Sequence, residues 1–274
     1  MDLTPLLFAY LSAMVFLFGA CVGSFLNVCI HRIPREESVI RPRSHCPACG
    51  TMIAWYDNVP LVSYLALGGR CRNCGGKISM RYFLVEALVG ALFLLVWQRY
   101  GLEVRTPVYW MVAAGLVLGT FVDFEHLIIP DRVTLGGIAA GLLLSPLVPS
   151  LHGVDTPLRG FLASLASAAT GWGILWMVAV LGKAVFRKDA MGFGDVKLLG
   201  AVGALLGWRA VIFTLMISSV AGSLVGVALI LARRHRWQSR IPYGPYLAVA
   251  AMIWVVTGER WWAWYVGCLA GSPM

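Results

Sequence analysis

Two sets of residues in this 274-residue chain have types and spacings that suit chemistry. The first is a set of carboxylates at the edges of apolar runs. Asp123, Glu125 and Asp131 lie in FVDFEHLIIPD, and Asp195 lies in MGFGDVKLLG. An ionisable side chain inside a membrane span costs about 2.5–3.5 kcal/mol at its centre, so it is a functional candidate by default. Two carboxylates brought together in a helix bundle do not ionise independently and share a proton. One then accepts a proton from water while the other protonates a leaving group, which is the chemistry of an aspartic protease. Gly192 and Gly194 flank Asp195 with no side chains, leaving room for a left-handed backbone or for close approach of another chain. An Asp at a helix start is most often an N-cap, and that reading applies to Asp195 taken alone and to Asp131 ahead of the next apolar run. Asp123 resists it, because a carboxylate near a helix C-terminus has no capping role and is disfavoured by the helix dipole.

The second set is Cys46, Cys49, Cys71 and Cys74, in CPACG and CRNCG. Each Cys-x-x-Cys pair is followed by glycine, and 21 residues separate the pairs. Four thiolates in two such knuckles close a tetrahedral Zn²⁺ shell. The separation lies just outside the usual window of about 15–20 residues. A closed shell leaves no position for substrate water, so the predicted role is structural. No strand–helix–strand pattern adjoins the knuckles to favour a thiol redox role. The surrounding stretch of about fifty residues is too small to rest on a hydrophobic core alone, so a metal staple suits it. Cys21, Cys29 and Cys268 lie in or near apolar segments and read as packing residues.

The elements that must position these groups are membrane helices. Hydrophobic residues make up 59% of the chain and the mean hydropathy is +0.78, which excludes an ordinary soluble domain once apolar runs of spanning length recur. We expect about eight spans: Leu6 to Cys29, Tyr82 to Trp97, Val108 to Phe124, Val133 to Val148, Arg159 to Leu181, Val196 to Leu206, Ala210 to Leu231, and Tyr243 to Val256 with a tryptophan-rich extension. The first run has no basic segment before it and reads as a span, not a cleavable signal. The expected fold class is an all-α polytopic membrane protein with a small zinc-stapled domain between spans one and two. Its parts are a first span over 1–29, a zinc-binding module over 30–81 and a transmembrane core over 82–274. No internal repeat is evident, and the 30 glycines suit close helix approach.

The net charge of +9 reflects basic loops between the apolar runs, not a nucleic-acid surface, and no nucleic-acid partner is expected. Arg32, Arg35, Arg41, Arg43, Arg70, Arg72, Lys77 and Arg81 follow the first span. Lys183, Arg187, Lys188 and Lys197 follow the fifth, and Arg233, Arg234, Arg236 and Arg240 follow the seventh. Eight spans put these loops on one face, which the positive-inside bias makes cytoplasmic, with both termini outside. The knuckles, Asp123 and Asp195 all fall on that face. A proton pathway or transporter using the same aspartates is the alternative reading. It would favour inverted repeats with broken helices in matching halves, and none is visible.

With these residues in view, the chain resembles the bacterial prepilin peptidases, or type IV leader peptidases, nearly end to end. Gly-Ser-Phe-Leu-Asn-Val at 23–28 with Arg32 and Pro34 looks like the family's N-terminal signature. The stretch from CPACG to GGKISMRYFLVE looks like its zinc module, and FVDFEHLIIPD, MGFGDVKLLG and IPYGPYLAVAA look like its later blocks. The resemblance implies an intramembrane aspartic protease of the Gly-x-Gly-Asp type, in the cytoplasmic membrane, with Asp123 and Asp195 catalytic and Gly192 and Gly194 supporting. It implies prepilin or pseudopilin substrates cut after a glycine at the cytoplasmic edge of their apolar segment. It further implies S-adenosylmethionine-dependent methylation of the new N-terminal amine, an activity associated with members that carry the cysteine module. No soluble-methyltransferase glycine loop is present to name the methyl-donor residues. We expect methylation to use a site apart from the aspartates, in the cytoplasmic module and adjoining span ends.

Overall fold

The computed structural model describes residues 4–187, 191–232 and 242–269. Among them the chain forms ten α-helices and no extended strand. They are α1 (Pro5–Arg32), α2 (Val62–Ala66), α3 (Met80–Tyr100), α4 (Arg105–His126), α5 (Asp131–Leu144), α6 (Pro157–Phe186), α7 (Phe193–Leu206), α8 (Trp208–Leu231), α9 (Gly244–Ile253) and α10 (Glu259–Leu269). A single π-helical turn, Trp254–Gly258, joins the last two. Local sequence sets several starts. Thr4, Ser79 and Thr156 each accept a backbone N–H in the first turn of α1, α3 and α6, and proline follows the cap in α1 and α6.

Helices occupy all eight predicted segments. Five of them, α1, α3, α4, α6 and α8, are long and apolar enough to cross a membrane. Helices α5 and α7 have 14 residues each. At 1.5 Å per residue they rise about 21 Å, short of a hydrocarbon core of ~30 Å. Lys188, Arg233, Arg234, Arg236 and Arg240, counted in the basic loops, lie outside the described residues.

The chain divides into two compact units, residues 1–118 and 119–274, with the boundary inside α4. In the first unit α1 packs on α3 through glycines. A β-carbon on Gly19 would stand 2.9 Å from the Gly90 Cα, and one on Gly23 would stand 2.7 Å from the Glu86 Cα. Such small residues let membrane helices gain dispersion contact without hydrophobic drive from water. Asn27 adds a polar tie, donating its amide to the Tyr82 carbonyl at 3.0 Å. Phe93 stacks on Trp110 at 5.2 Å, which joins α3 to the first half of α4.

In the second unit the short α7 is sheathed, with every residue from Asp195 to Leu206 buried except Lys197. Its small residues explain how. A β-carbon on Gly203 would run into the Ser167 carbonyl oxygen of α6, and one on Gly171 of α6 would run into the Leu199 carbonyl oxygen. On the other side, a β-carbon on Gly141 of α5 would lie 2.6 Å from the Ala204 Cβ. The far end of α7 is closed by side chains. Ser164 donates to the Ala204 carbonyl at 2.7 Å, and Ser145, 2.8 Å from His152 Nε2, reaches the same carbonyl at 3.4 Å. Gly207, at φ +84°, then breaks the helix before α8.

These contacts predict a contrast between two glycines. Gly203→Ala should lower stability by about 1–3 kcal/mol, the usual range for overpacking. Gly173→Ala in α6 meets nothing within 4 Å and should stay within about 0.5 kcal/mol of the parent. Thermal unfolding in detergent measures both, and equal melting points would contradict the packing.

Candidate active site and cysteine cluster

Asp123 lies in the last turn of α4, where its carbonyl accepts the Leu127 N–H at 2.9 Å. Leu127 adopts φ +54° and ends the helix. The chain then runs through Ile129 and the extended Pro130 into α5. Ile129 is buried and fills the space between three glycines. A β-carbon would meet it at 3.2 Å from Gly194 of α7, at 2.9 Å from Gly244 of α9 and at 3.5 Å from Gly119 of α4. This one apolar side chain keys the ends of three helices together.

Asp195 is the third residue of α7, and the N-cap is Gly192. The expectation that Asp195 itself caps is therefore corrected: it sits one turn inside, and its carboxylate reaches back to the Gly192 N–H. That position still lies against the positive end of the helix dipole. Neither flanking glycine has positive φ. Their value is space. A β-carbon on Gly192 would stand 3.3 Å from Asp195 Oδ2, and one on Gly194 would press on Ile129.

The carboxylates of Asp123 and Asp195 lie near one another. Asp123 is 5% exposed and Asp195 7%, and the charge of Asp123 bears directly on Asp195. The Gly244 N–H points to the Asp123 carboxyl. Asp123 Oδ2 is buried with no hydrogen-bond partner, and a β-carbon on Gly244 would lie 2.7 Å from it. Buried polar atoms are seldom left unpaired. Gly244 is held in place by its neighbour, because the Tyr243 hydroxyl sits 2.7 Å from Ser218 Oγ of α8.

Asp131 is not brought into the pair. It is the first residue of α5, its side chain makes no capping bond, and Pro130 holds the cap position. Its carboxylate instead accepts from Lys197 Nζ at 2.6 Å, so its expected N-cap role is corrected to an ion pair joining α5 to α7. Lys197 also lies over the Phe193 ring. Glu125 is exposed. Ile129, Tyr243 and Gly244 had no individual place in the sequence reading. A buried isoleucine carries no chemical signal, and Gly244 stood only as one letter of the IPYGPY block.

The four knuckle cysteines converge in the first unit, with all four sulfurs within 4.8 Å of one another. Cys46 Sγ and Cys74 Sγ are 3.8 Å apart, close to the edge of a tetrahedron with metal–sulfur bonds of about 2.3 Å. The two knuckles share one backbone scheme. The Cys46 N–H donates to the Thr51 carbonyl and the Gly50 N–H to the Cys46 carbonyl, each at 2.9 Å. The Cys71 N–H donates to Gly76 at 2.8 Å and the Gly75 N–H to Cys71 at 2.9 Å. Gly50 and Gly75 both adopt φ near +70°, which explains the glycine after each pair. The Thr51 hydroxyl, its N–H and the Asn73 amide hold the Cys49 thiol down at about 6, so it is thiolate at neutral pH. Although the Gly76 N–H favours the thiolate of Cys74, the neighbouring Cys49 sulfur pushes that thiol up to about 11. Such a crowded set suits a bound cation in place of the shared proton. Outside the cluster, Arg72 grips Asp57 through Nε and Nη2 at 2.7–3.1 Å, holding the second knuckle to the intervening loop.

Fold and site together define a helical membrane protein with a buried aspartate pair and a four-cysteine module. Residues 17–100 match the bacterial peptidase A24 N-terminal domain, and residues 110–227 match the type IV leader peptidase family. A prepilin leader peptidase/N-methyltransferase of Aeromonas salmonicida is 36% identical over 282 residues, covering 94% of each chain. Its counterpart from Pseudomonas aeruginosa is 34% identical, covering 89% of each. A third, from Myxococcus xanthus, is 42% identical over 222 residues, which is 81% of this chain and 64% of that relative's length. No solved structure matches the chain. The chain belongs to the type IV leader peptidase family.

The cysteine geometry predicts one thiophilic metal ion per chain. Metal analysis of the purified protein should find it in stoichiometric amount and find it lost from a Cys46→Ser/Cys71→Ser double variant. Metal-free protein with four free or disulfide-linked thiols would refute the assignment.

Proposed function

We propose that this chain is an aspartic endopeptidase that removes the leader peptide of type IV prepilins and pseudopilins and then methylates the new N-terminal residue. The observation that carries the peptidase reading is the buried pair Asp123 and Asp195, one oxygen of which has no protein partner. Membership in the leader peptidase family supports it, as do relatives named prepilin leader peptidase/N-methyltransferase.

The two carboxylates share one proton. The ionised member takes a proton from water, whose oxygen attacks the scissile carbonyl carbon. The protonated member gives its proton to the departing nitrogen as the carbon–nitrogen bond breaks. Gly244 and Gly192 orient the carboxyls through their N–H groups without side chains that would block a substrate backbone. Ile129 sets the spacing of the three helix ends. Asp123 and Asp195 work at the cytoplasmic edge of the inner membrane, where the basic loops of the cysteine module also belong. Lipid surrounds the apolar faces, which carry exposed Leu17, Phe18, Val220 and Leu224.

The ion held by Cys46, Cys49, Cys71 and Cys74 is Zn²⁺, chosen by an all-thiolate tetrahedral set, and its role is structural. Methylation draws on S-adenosylmethionine. When bound, S-adenosylmethionine would supply the methyl group, and the chain's part would be to hold the new N-terminal amine neutral and to take up the proton that the amine gives up.

Asp123→Asn and Asp195→Asn should each abolish cleavage of a purified prepilin while leaving the protein folded, because the shape stays and the titrating group goes. Asp131→Asn removes only a partly exposed ion pair and should retain most activity. Cleavage near the parent rate by a folded Asp123→Asn or Asp195→Asn protein would remove the pair from the mechanism.

The two activities should also separate. Given a pilin already cleaved and bearing a free N-terminal amine, the Asp195→Asn protein should still transfer the methyl group, as mass spectrometry would show. A folded variant that binds this pilin and fails to methylate it would make the two sites one.

A further inference from the structure

Helix α2 is five residues long and belongs to the cysteine module, outside the five spanning helices, yet it has an inner and an outer face. Ser63 and Tyr64 face inward. The Tyr64 ring packs on Phe83 of α3 at 5.5 Å, and the Leu61 N–H just ahead of α2 donates to Glu86 Oε2 at 2.8 Å. Val62, Leu65 and Ala66 face outward, Val62 60% and Leu65 68% exposed. Their spacing of three and four residues sets them on one stripe of the helix.

Ser63 joins a second apolar element to this stripe. Its hydroxyl accepts the Val59 N–H and donates to the Tyr56 carbonyl, each at 3.0 Å, so the Trp55–Asn58 turn and α2 are tied into one piece. That turn presents Trp55, 75% exposed, with the Tyr56 ring edge-on to it. Asp57 is the one acidic residue from Met52 to Arg70, and Arg72 neutralises it at 2.7 Å. The outer surface of the piece is therefore apolar and aromatic, with no unpaired negative charge.

Its place along α3 decides what covers it. Phe83 and Glu86 are the fourth and seventh residues of α3, so α2 lies beside the first two turns of that helix and not beyond its end. Those turns already face outward with exposed Met80, Leu84 and Leu88, on a helix long and apolar enough to span. At 1.5 Å per residue, Glu86 stands about 9 Å along the axis from Met80. A surface element of a membrane protein buries its apolar face about 5–10 Å into the boundary between headgroups and acyl chains. The two depths agree, and the outer face of α2 continues the lipid-facing surface of α3.

We propose that α2 and the Trp55–Asn58 turn form an interfacial anchor that seats the cysteine module in the phospholipid headgroup layer, with Val62, Leu65 and Trp55 turned into the membrane. Tryptophan and tyrosine favour that layer, because the ring is apolar and its one polar atom stays wet. Arg70 is exposed one turn after α2, its N–H on the Leu67 carbonyl, and its charge suits lipid phosphate. The module thus does not stand off in water on its two connections. It lies against the bilayer, and the four-cysteine cluster with it.

Photocrosslinking in the full chain tests this. The protein is held in nanodiscs of phosphatidylethanolamine and phosphatidylglycerol, with p-benzoylphenylalanine in place of Val62 or Leu65. On irradiation each should gain the mass of one phospholipid. The same group in place of Tyr64 should instead link to α3 near Phe83, which reports that α2 is packed as described. In place of Trp55 the change is aromatic for aromatic, so it answers even if a change in α2 prevents folding, and it too should take lipid. If folded protein gives no lipid adduct from these outward positions, the module stands clear of the membrane and the proposal fails. Linkage to a second copy or to an added prepilin in place of lipid would overturn it as well, as would failure of the group at position 64 to reach α3.

Discussion

A carboxylate oxygen buried without a partner, Asp123 Oδ2, is the constraint around which the second unit is organised. Leaving such a group unsatisfied costs about 1–3 kcal/mol, and more when it is charged. The fold offsets this by bringing backbone, not side chains, to the carboxyl. Gly244 can stand against it only because it lacks a β-carbon. Tyr243 anchors that backbone on α8, and Ile129 keeps α4, α7 and α9 at the required separation. A polar side chain in Gly244's place would crowd Asp123 and fill the space beside its carboxyl.

The same economy explains why α7 is short and rich in small residues. A helix that carries a buried carboxylate in its first turn must be wrapped on all sides if that carboxylate is to be shielded from bulk water and from lipid. Wrapping a full-length span with bulky side chains would set α5 and α6 some 8–10 Å from it. Gly141, Gly171 and Gly203 instead allow backbones into near contact, where dispersion and local dipoles hold them. One buried C-terminal carbonyl, that of Ala204, is taken up by both Ser145 and Ser164, so buried hydroxyls gather at the end of α7 away from Asp195.

Much of this was legible in the sequence because chemistry-bearing residues are costly in apolar runs. Four carboxylates, the four cysteines and the eight helical segments stood out by composition, spacing and hydropathy, and the choice of Asp123 and Asp195 among the carboxylates came from the family resemblance. The failures share a cause. An N-cap was expected of Asp131, and of Asp195 if taken alone, from their place before an apolar run, but helix starts are fixed by backbone dihedrals. Here Pro130 and Gly192 occupy the extended cap position. The glycines beside Asp195 allowed either a left-handed backbone or a close approach, and the structure uses them for close approach, of Ile129 and of the carboxyl itself. Long-range partners such as Tyr243 with Ser218, or Glu86 with the Leu61 N–H, leave no periodic trace in one sequence.

The cysteine module shows a second way of meeting the same problem of order without a core. Its knuckles repeat one hydrogen-bond scheme twice, each ended by a glycine near φ +70°, so each half presents two sulfurs in a fixed fork before any metal binds. Four sulfurs this close cannot all be thiolates without a cation, so a metal bound there would supply a cohesion that about fifty residues of mostly polar chain lack. The loops that lead away from the knuckles are then tied to α1 and α3 by Arg32 and Glu86. The buried charges of Arg32 and Glu86 thus serve the loop backbone, each bonded to main-chain groups that would otherwise be left without helix or sheet partners.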